Sequence, residues 1–346
     1  MNNLILSAKA LSNGRALKRL AVALASFGMF SSAMALSIST PFTEATLPGW
    51  TIAGNATLTA ATGVDPVGSG WLRLTDNTGD QRSTALYDTA FPSSDGLLIT
   101  FQYATWGKTS SEGADGIAMY LVDGSLASPT IGAAYGGSLG YSSYTGVWGL
   151  SPGVAKGYVG IGFDEFGNFS DADYGGGCTI TCAFKKNSVA VRGAGNLIDD
   201  TSSVNTPLNE FSLLASESVS AIETGTTDRG NIATVQIVIT PAPNPTITVR
   251  RDTGSGYVTI INALSLASNG SVPSTFKLGF SASTGGSNNY HEIRNLTIQD
   301  LTTAANPTGA TTGLAPIPAL DAYGLALLLA SMAGAFAWVT RRSQKS

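Results

Sequence analysis

The stretch between Tyr158 and Asp173 constrains the fold of this chain more than any other part of it. It begins as a run of aliphatic and aromatic residues with interspersed glycines, which is typical of a β-strand that other backbone approaches closely. It ends in a loop crowded with oxygen donors. If the strand continues through Asp164, the two-residue period of a strand places Asp164, Phe166 and Asn168 on one side of the chain.

These donors are of the kind that hard cations bind. Two carboxylates, an amide oxygen and a main-chain carbonyl fall close together in the sequence. Ca²⁺ takes about six to eight oxygen ligands at about 2.3–2.6 Å, so the loop is a candidate calcium site. A solvated acidic turn that closes a hairpin would have the same composition, and the stretch alone leaves both interpretations open.

Outside its two ends the chain has the composition of an all-β protein. Charged residues make up 12% of the 346 residues, glycine occurs 41 times, and no long segment there has the 3.6-residue period of an amphipathic helix. Residues 104–112 predict a polar loop, and residues 196–230 are polar and poorly patterned. Apolar or alternating runs predict strands at 71–74, 83–87, 96–103, 114–122, 158–164, 187–192, 233–240, 245–250, 276–283 and 291–298.

The first 35 residues have the three parts of a secretory signal. An apolar segment covers 20–30, and Ala33-Met34-Ala35 supplies a small-x-small cleavage site. A membrane-spanning or buried helix is the alternative, but the apolar run is short for a span. We therefore predict a signal peptide over 1–35. Its basic region consists of Lys9, Arg15, Lys18 and Arg19.

The C-terminal end carries a second short apolar segment, residues 323–339, followed by a basic tail. At 1.5 Å per residue, about 17 helical residues are the lower limit for crossing a hydrocarbon core of about 30 Å. The tail would stay on the cytoplasmic side by the positive-inside tendency. Residues 303–316, rich in Thr, Ala, Pro and Gly, predict a linker that leads to it. The tail's basic residues are Arg341, Arg342 and Lys345.

The end of the chain, 317–346, resembles the bacterial IPTL-CTERM sorting signal, a relative of the PEP-CTERM signals. The family motif reads Ile-Pro-Thr-Leu-Ser-Glu-Trp-Gly, and this chain has Ile-Pro-Ala-Leu-Asp-Ala-Tyr-Gly at 317–324. The resemblance implies export into a Gram-negative cell envelope, transient anchoring in the inner membrane, and processing by an exosortase-type enzyme. A plain tail anchor is the alternative. The departures from the motif are Ala319, Asp321, Ala322 and Tyr323.

Residues 36–340, which exclude the signal region and the basic tail, are acidic. Of the 19 basic residues, four lie in the signal region and three in the tail, which leaves twelve against 23 acidic residues and a net charge of −11. Such a surface repels phosphates, so nucleic acid is excluded as a partner. Cations and neutral sugars remain compatible with it.

Three further features bear on function. Cys178 and Cys182 lie in one loop of an exported chain and predict a small disulfide, because no His or third Cys is near to complete a metal site.

Asp115 stands at the mouth of a buried strand, where a carboxylate needs a partner such as a ligand hydroxyl or a structured loop. In the loop Gly136–Gly140 the glycines let backbone pass tightly and leave amides open to a ligand. The loop is not a dinucleotide-binding motif, because no βαβ unit surrounds it.

Four of these stretches, in this order, resemble the L-type (legume-type) lectins and their bacterial relatives. They are Ala114-Asp-Gly116, Gly136-Gly-x-Leu-Gly140, the run from Phe163 through Asn168 to Asp173, and Leu278-Gly-Phe-Ser-Ala-Ser-Thr-Gly285. The resemblance implies an antiparallel β-sandwich of the concanavalin-like jelly-roll type over residues 36–302.

The resemblance also implies a set of site residues. Asp164, the carbonyl of Phe166, Asn168 and Asp173 would ligate Ca²⁺. Asp115, preceded by a cis peptide, would hold sugar hydroxyls together with the backbone of Gly137 and the amide of Asn168. Phe166 would add a stacking face, and Gly286 a backbone contact.

Two departures from the family qualify the metal prediction. Plant members carry a Glu two residues before the first metal Asp, and this chain has Gly162 there. The family's transition-metal His is missing, because the single His of the chain is His291. We therefore predict loss of the transition-metal site and retention of calcium. His291 is either a structural strand residue or a hydrogen-bonding residue at the pocket edge.

The predicted function is calcium-dependent, non-catalytic carbohydrate binding at the cell envelope, with glycans or exopolysaccharide as partners. A glycoside hydrolase on the same fold is one alternative. It needs two carboxylates, which such enzymes place as Glu-x-Asp-x-x-Glu, and Gly162, Asp164 and Gly167 occupy that pattern here. A structural or adhesion matrix protein that keeps the sandwich without binding sugar is the other alternative.

Overall fold

The computed structural model describes residues 35–132, 135–144, 146, 151–175, 178–195 and 211–302. Within these ranges the chain forms two eight-stranded antiparallel sheets, so the predicted antiparallel β-sandwich is confirmed. The strands are β1 Ser37–Thr40, β2 Trp50–Gly54, β3 Thr57–Leu58, β4 Leu72–Thr75, β5 Arg82–Tyr87, β6 Phe91–Pro92, β7 Leu97–Trp106, β8 Gly116–Asp123, β9 Gly157–Asp164, β10 Ser188–Arg192, β11 Leu213–Ser218, β12 Ala233–Ile239, β13 Thr246–Asp252, β14 Val258–Ser265, β15 Thr275–Ser283 and β16 Tyr290–Gln299.

The two sheets draw on strands that are distant in the sequence. The first has the order β14-β13-β12-β7-β16-β4-β3, with β1 paired to β16. The second has the order β11-β10-β9-β8-β15-β5-β2, with β6 paired to β15. In this second sheet β8 lies between β9 and β15, so the strand ends that carry Asp115, Asp164 and Ser283 lie side by side.

The main core lies between the sheets and follows the two-residue period of the strands. In β12 the apolar residues Val235, Ile237 and Ile239 are buried, and the residues between them are half-buried. Phe280 of β15 packs its ring against Phe101, with the ring centroids 5.0 Å apart. Alternation of this kind is what one covered face of an antiparallel sheet requires.

A second apolar cluster covers the outer face of the second sheet. Tyr120 of β8 and Ala190 of β10 pack there against side chains from the loops, including Leu139, Tyr141 and Phe169. Consequently β8 and β9 are buried on both faces, which is why their sequences are apolar without alternation. The loop layer that covers this sheet also forms the walls of the site described below.

The ten predicted strands are present, and six further strands had no predicted range: β1, β2, β3, β6, β11 and β14. β11 falls in the poorly patterned region 196–230, and β14 is an edge strand with a positive φ of 46° at Ala263, so neither shows clean alternation. The predicted polar loop 104–112 was wrong at its start, because β7 continues to Trp106. Trp106 stays in register there, opposite Tyr290 of β16.

Cys178 and Cys182 form the predicted disulfide, with their Cα atoms 5.9 Å apart. The predicted signal peptide lies outside the described residues except for Ala35, and the predicted linker, apolar segment and basic tail lie wholly outside them. In the part of the chain that the structure describes, no helix combines the length and apolar character needed to cross a membrane.

Candidate functional site

The second sheet carries an open pocket of about 590 Å³ at one end of β8. Glycine backbone forms part of its lining, and aromatic side chains form much of the rest. The size falls within the range of about 300–1,000 Å³ that is usual for small-molecule sites. The lining residues are Asp80, Ala114, Asp115, Tyr135, Gly136, Tyr144, Ser151, Phe166, Asn168, Tyr174, Gly285, Gly286 and Ser287.

Asp115 supplies a carboxylate at the base of the pocket. The Ala114–Asp115 peptide bond is cis, as the resemblance to the lectins implies. The backbone of Asp115 is fixed on both sides: its N–H donates to Ser283 at 3.2 Å, and its carbonyl accepts from the N–H of Glu165 at 2.9 Å. The side chain therefore has a defined position, and only 4% of the residue surface is exposed.

The environment of Asp115 favours its neutral form. Burial, the larger effect, and the negative charge of Glu165 together raise the pKa of the carboxyl group to about 7, against the N–H of Gly285, which donates to the carboxylate. A buried carboxylate with a single backbone donor has unused acceptor capacity. Ligand hydroxyls can supply the donors that Asp115 needs as an anion.

The turn Gly136–Ser138 forms the wall opposite Asp115, and β15 holds it there. Successive residues of β15 alternate, so Phe280 and Ala282 enter the core while Ser281 and Ser283 face the turn. Ser281 donates to the carbonyl of Leu139 at 2.7 Å, and Ser283 donates to the carbonyl of Gly136. In the motif Phe280-Ser-Ala-Ser283, one face of the strand therefore packs in the core and the other holds the turn that lines the pocket.

Gly136 and Gly137 have different surroundings. Gly136 has φ 71° and lines the pocket, where a Cβ atom would stand 3.4 Å from the Asp115 carboxylate. Gly137, the predicted sugar-binding glycine, packs under the wall, where a Cβ atom would meet Asn168 at 2.2 Å. Its N–H donates to the phenol oxygen of Tyr174. The structure therefore places Gly136 rather than Gly137 on the pocket surface.

The loop after β9 forms the third wall. Phe166 and Asn168 are half-buried and both line the pocket, as predicted, and Gly286 lines it from the opposite side. The side chain of Asn168 hydrogen-bonds to Tyr174, whose ring centroid lies 5.0 Å from that of Tyr144. Burial raises the pKa of Tyr174 to about 12, so its phenol is neutral at physiological pH.

This architecture is similar to that of solved plant lectins. Peanut lectin, solved with a nine-residue peptide, superposes with a TM-score of 0.51 at 19% identity, over 77% of this chain and 97% of the lectin. Basic winged bean lectin, solved with Tn-antigen, gives 0.50 at 16% identity, over 77% and 98%. The chain has the fold of a legume lectin. The Ca²⁺-bound exoplasmic/lumenal domain of VIP36 gives 0.47 at 15% identity, over 76% and 89%.

No protein-family model matches the sequence, and no curated protein matches it either. The likeness is therefore one of fold, and the chemistry of this lectin-fold chain has to be argued from its own residues.

The four predicted calcium ligands differ in burial and in the partners that their side chains already have. Asp164 is fully buried, and its two carboxylate oxygens accept from the N–H groups of Gly167 at 2.7 Å and Phe169 at 2.8 Å. Strand β9 ends at Asp164, so Phe166 and Asn168 do not continue its side-chain period as the sequence suggested. Asp173 is exposed at the far end of the loop.

These residues do not fit a calcium ion well. Ca²⁺ requires converging oxygens with free lone-pair directions. The buried carboxylate of Asp164 already accepts from two loop amides. Across the described ranges no cluster of three or more His, Cys, Asp or Glu side chains is placed to hold a metal. The calcium prediction gains no support from the site.

The neighbourhood of Gly162 is filled by an aromatic ring. A Cβ atom at Gly162 would stand 2.4 Å from the ring of Phe169. By the resemblance, plant lectins carry a Glu at the position of Gly162, and the ring of Phe169 fills the space that such a side chain would need. Ser188, at the start of the neighbouring strand β10, is fully buried. Loss of the transition-metal site stays a prediction from the sequence.

His291 is a structural residue of β16 and does not line the pocket. It is fully buried, with Nδ1 2.6 Å from the Thr75 hydroxyl and Nε2 3.4 Å from a carboxylate oxygen of Glu165. The other oxygen of Glu165 accepts from the side-chain amide of Asn289 at 2.7 Å. These contacts hold Glu165 behind the pocket, next to Asp115, and lower the pKa of Glu165 against the effect of burial.

Several pocket residues had no signal in the sequence. Tyr135 and Tyr144 line the pocket from the segment between β8 and β9, and Tyr174 from the segment after β9. Asp80 reaches it from the turn before β5. The N–H of Asp80 donates to the carbonyl of Gly285 at 3.2 Å, which joins two loops that lie far apart in the chain. Only the tertiary fold brings these residues to the same place.

Proposed function

We propose that this protein is a non-catalytic carbohydrate-binding protein that takes a neutral saccharide in the pocket around Asp115. The observation that supports this most is the pairing of a deeply buried carboxylate with an open, aromatic-walled pocket. A carboxylate in such a place is costly unless hydroxyl or amide donors complete its hydrogen bonds.

A saccharide offers what the pocket lacks. Adjacent sugar hydroxyls can both donate to the two oxygens of Asp115, and the apolar face of a sugar ring can pack on Phe166 or on the tyrosine rings. The backbone around Gly136 and Gly286 gives close approach without side chains. The fold shared with plant lectins, one of them solved with Tn-antigen, supports the same proposal.

A neutral sugar fits better than an acidic one. Asp80 and Asp115 are both on the pocket surface, and no Lys or Arg occurs among the described lining residues. The carboxylate of a uronic or sialic acid would meet like charge there, which weakens binding.

A glycan array with the purified protein tests the proposal. We expect binding to at least one class of neutral glycan and no cleavage of it. Release of sugar would favour a glycoside hydrolase, whereas silence across neutral and acidic glycans would favour the structural matrix alternative. Repeating the array after chelation tests the calcium dependence predicted from the sequence.

Binding should strengthen as pH rises through about 7. The hydroxyl-accepting form of Asp115 is the carboxylate, and burial beside Glu165 raises its pKa to about 7. Asp164 and Tyr174 also interact electrostatically with Asp115, and neither brings a positive charge that would lower the pKa of Asp115. Since the ionised fraction rises about tenfold between about pH 6 and about pH 8, we expect a similar gain in affinity, measured by calorimetry with one array-positive sugar. Affinity that is flat or falls over this range contradicts the assignment.

We further propose that the chain is exported and processed. The signal-like first 35 residues, the sorting-signal-like end at 317–346 and a disulfide between Cys178 and Cys182 support this. The proposed partners are envelope glycans or exopolysaccharide, an exosortase-type enzyme, and a membrane reached through 323–339. Mass spectrometry of the mature protein from its host gives the two cleavage points.

A further inference from the structure

One buried cation lies directly beneath the loop that forms the third wall of the pocket. Arg192, the last residue of β10, is fully buried. Its guanidinium donates three hydrogen bonds to main-chain carbonyls: to Phe169 at 2.6 Å, to Asp171 at 2.7 Å and to Phe211 at 2.8 Å. Two of these carbonyls belong to the loop after β9, and the third belongs to the segment that leads into β11.

Charge and packing both support a fixed guanidinium at this place. The ring of Phe169 lies 5.4 Å from the guanidinium carbon, within the range of a cation–π contact. Burial lowers the pKa of Arg192, and against the opposing effect of Asp164 and Asp171 the result is about 9. Arg192 is therefore charged at neutral pH, and its planar fork suits several carbonyl acceptors at once.

Asp164 and Arg192 act on complementary groups of the same loop. Asp164 accepts from the amides of Gly167 and Phe169, while Arg192 donates to the carbonyls of Phe169 and Asp171. Between them, one buried carboxyl group and one buried cation satisfy backbone polar groups of the loop that would otherwise lack hydrogen-bond partners. A metal ion that gathers loop oxygens would perform the task that the guanidinium already performs.

We propose that Arg192 is the cation that holds this loop in its binding shape, so that the pocket forms without a divalent metal. Arg192 touches no ligand in this arrangement and is a positioning residue. It fixes the segment that carries Phe166 and Asn168 to the pocket. A divalent ion seated beneath the loop would meet a buried positive charge, which disfavours its binding.

Calcium alone tests the metal part of the proposal on the full-length, unmodified protein. We expect the melting temperature and the hydrogen exchange of the loop amides of Gly167 and Phe169 to be the same after chelation and in millimolar calcium. A calcium-dependent rise in melting temperature, or loop protection that chelation removes, would overturn it. This arm uses no sugar, so it gives a result even if the proposed function fails.

Variants test the role of the guanidinium. Arg192→Gln should speed exchange at the two loop amides by about tenfold or more and weaken saccharide binding to a similar degree, with Arg192→Lys intermediate. The matched control is Arg251→Gln, since Arg251 is also a buried arginine and donates to the carbonyl of Ala221 at 2.6 Å, away from the loop. The control should lose stability while keeping loop protection and affinity.

The saccharide arm rests on the proposed function, and the exchange arm does not. If Arg192→Gln keeps wild-type loop protection and affinity, the guanidinium is not what positions the loop. If Arg192→Gln fails to fold, Arg192→Lys and the calcium experiment on the wild-type protein still decide the proposal. Loss of wild-type sugar binding on chelation would also overturn it.

Discussion

Asp115→Asn is expected to lower saccharide affinity by about a hundredfold or more, while making the unliganded protein more stable at about pH 8. The loss arises because the amide replaces one of the two acceptor oxygens with an NH₂ donor, so it cannot accept one sugar hydroxyl on each of two oxygens as a carboxylate can. The N–H of Gly285, which donates to the carboxylate, can still donate to the amide oxygen. The folded structure should therefore persist in the variant.

The gain in stability follows from proton linkage. The pKa of Asp115 is raised from 3.8 to about 7 by burial and by Glu165, so the folded chain binds this proton more tightly than the unfolded chain does. Folding is penalised once the group is ionised in both states, above about pH 7, and the penalty vanishes below about pH 4. We expect Asp115→Asn to raise the free energy of unfolding by about 1–3 kcal/mol at about pH 8 and by little at low pH.

Urea denaturation at several pH values and calorimetric titration with one sugar measure the two effects. Asp95→Asn is the matched control, since Asp95 is exposed and does not line the pocket, and it should change neither quantity. Unchanged affinity in Asp115→Asn would place the binding site elsewhere. A stability difference that does not grow with pH would show that the Asp115 carboxylate is not desolvated in the free protein.

Much of the fold could be predicted from sequence because strand burial leaves a local record. β12 alternates as one covered face requires, and β8 and β9 are apolar on both faces because core lies on one side and loops on the other. β11 and β14 left no such record. Their pattern is interrupted, and Val258 at the start of β14 is 65% exposed at the sheet edge.

The candidate site could be predicted only in part. Asp115, Phe166, Asn168 and Gly286 were found through motifs, and they do line one pocket. The spacing of oxygen donors after β9 indicated a metal site. Spacing alone does not determine whether a carboxylate binds a metal ion or accepts hydrogen bonds from nearby backbone amides. Gly167, with φ 120°, turns the chain so that Asp164 meets two loop amides.

The burial and the contacts of Arg192 could not be predicted from the sequence either. As the last residue of a short strand it carried no sign of burial, and nothing local indicates that three carbonyls from two segments converge on it. Those carbonyls are brought together by the pairing of β10 with β9 and β11. Features of this kind depend on tertiary contacts between segments, which neither composition nor periodicity encodes.

Glu292→Ala should be the most destabilising substitution of a charged residue on the opposite sheet, at about 3–5 kcal/mol. Glu292 of β16 is fully buried on the outer face of the first sheet, where it accepts from Arg73 at 2.9 Å, Arg229 at 2.7 Å and Trp106 at 2.9 Å. Removal of its carboxylate leaves two mostly buried guanidinium groups without their shared anion. Arg229 keeps its second partner, Asp65, at 2.6 Å, so part of the network survives.

The matched control for Glu292→Ala is Glu112→Ala, which breaks an ion pair with Lys186 in which both side chains are more than 40% exposed. Exposed pairs contribute about 0–1 kcal/mol, so the control should change the urea midpoint little. Because the proposed pocket lies on the other sheet, Glu292→Ala should bind saccharide with wild-type affinity wherever it remains folded. Equal destabilisation in the two variants would show that the buried network contributes no more than a surface pair. A loss of affinity in folded Glu292→Ala would contradict the expectation that the first sheet does not affect the pocket on the second.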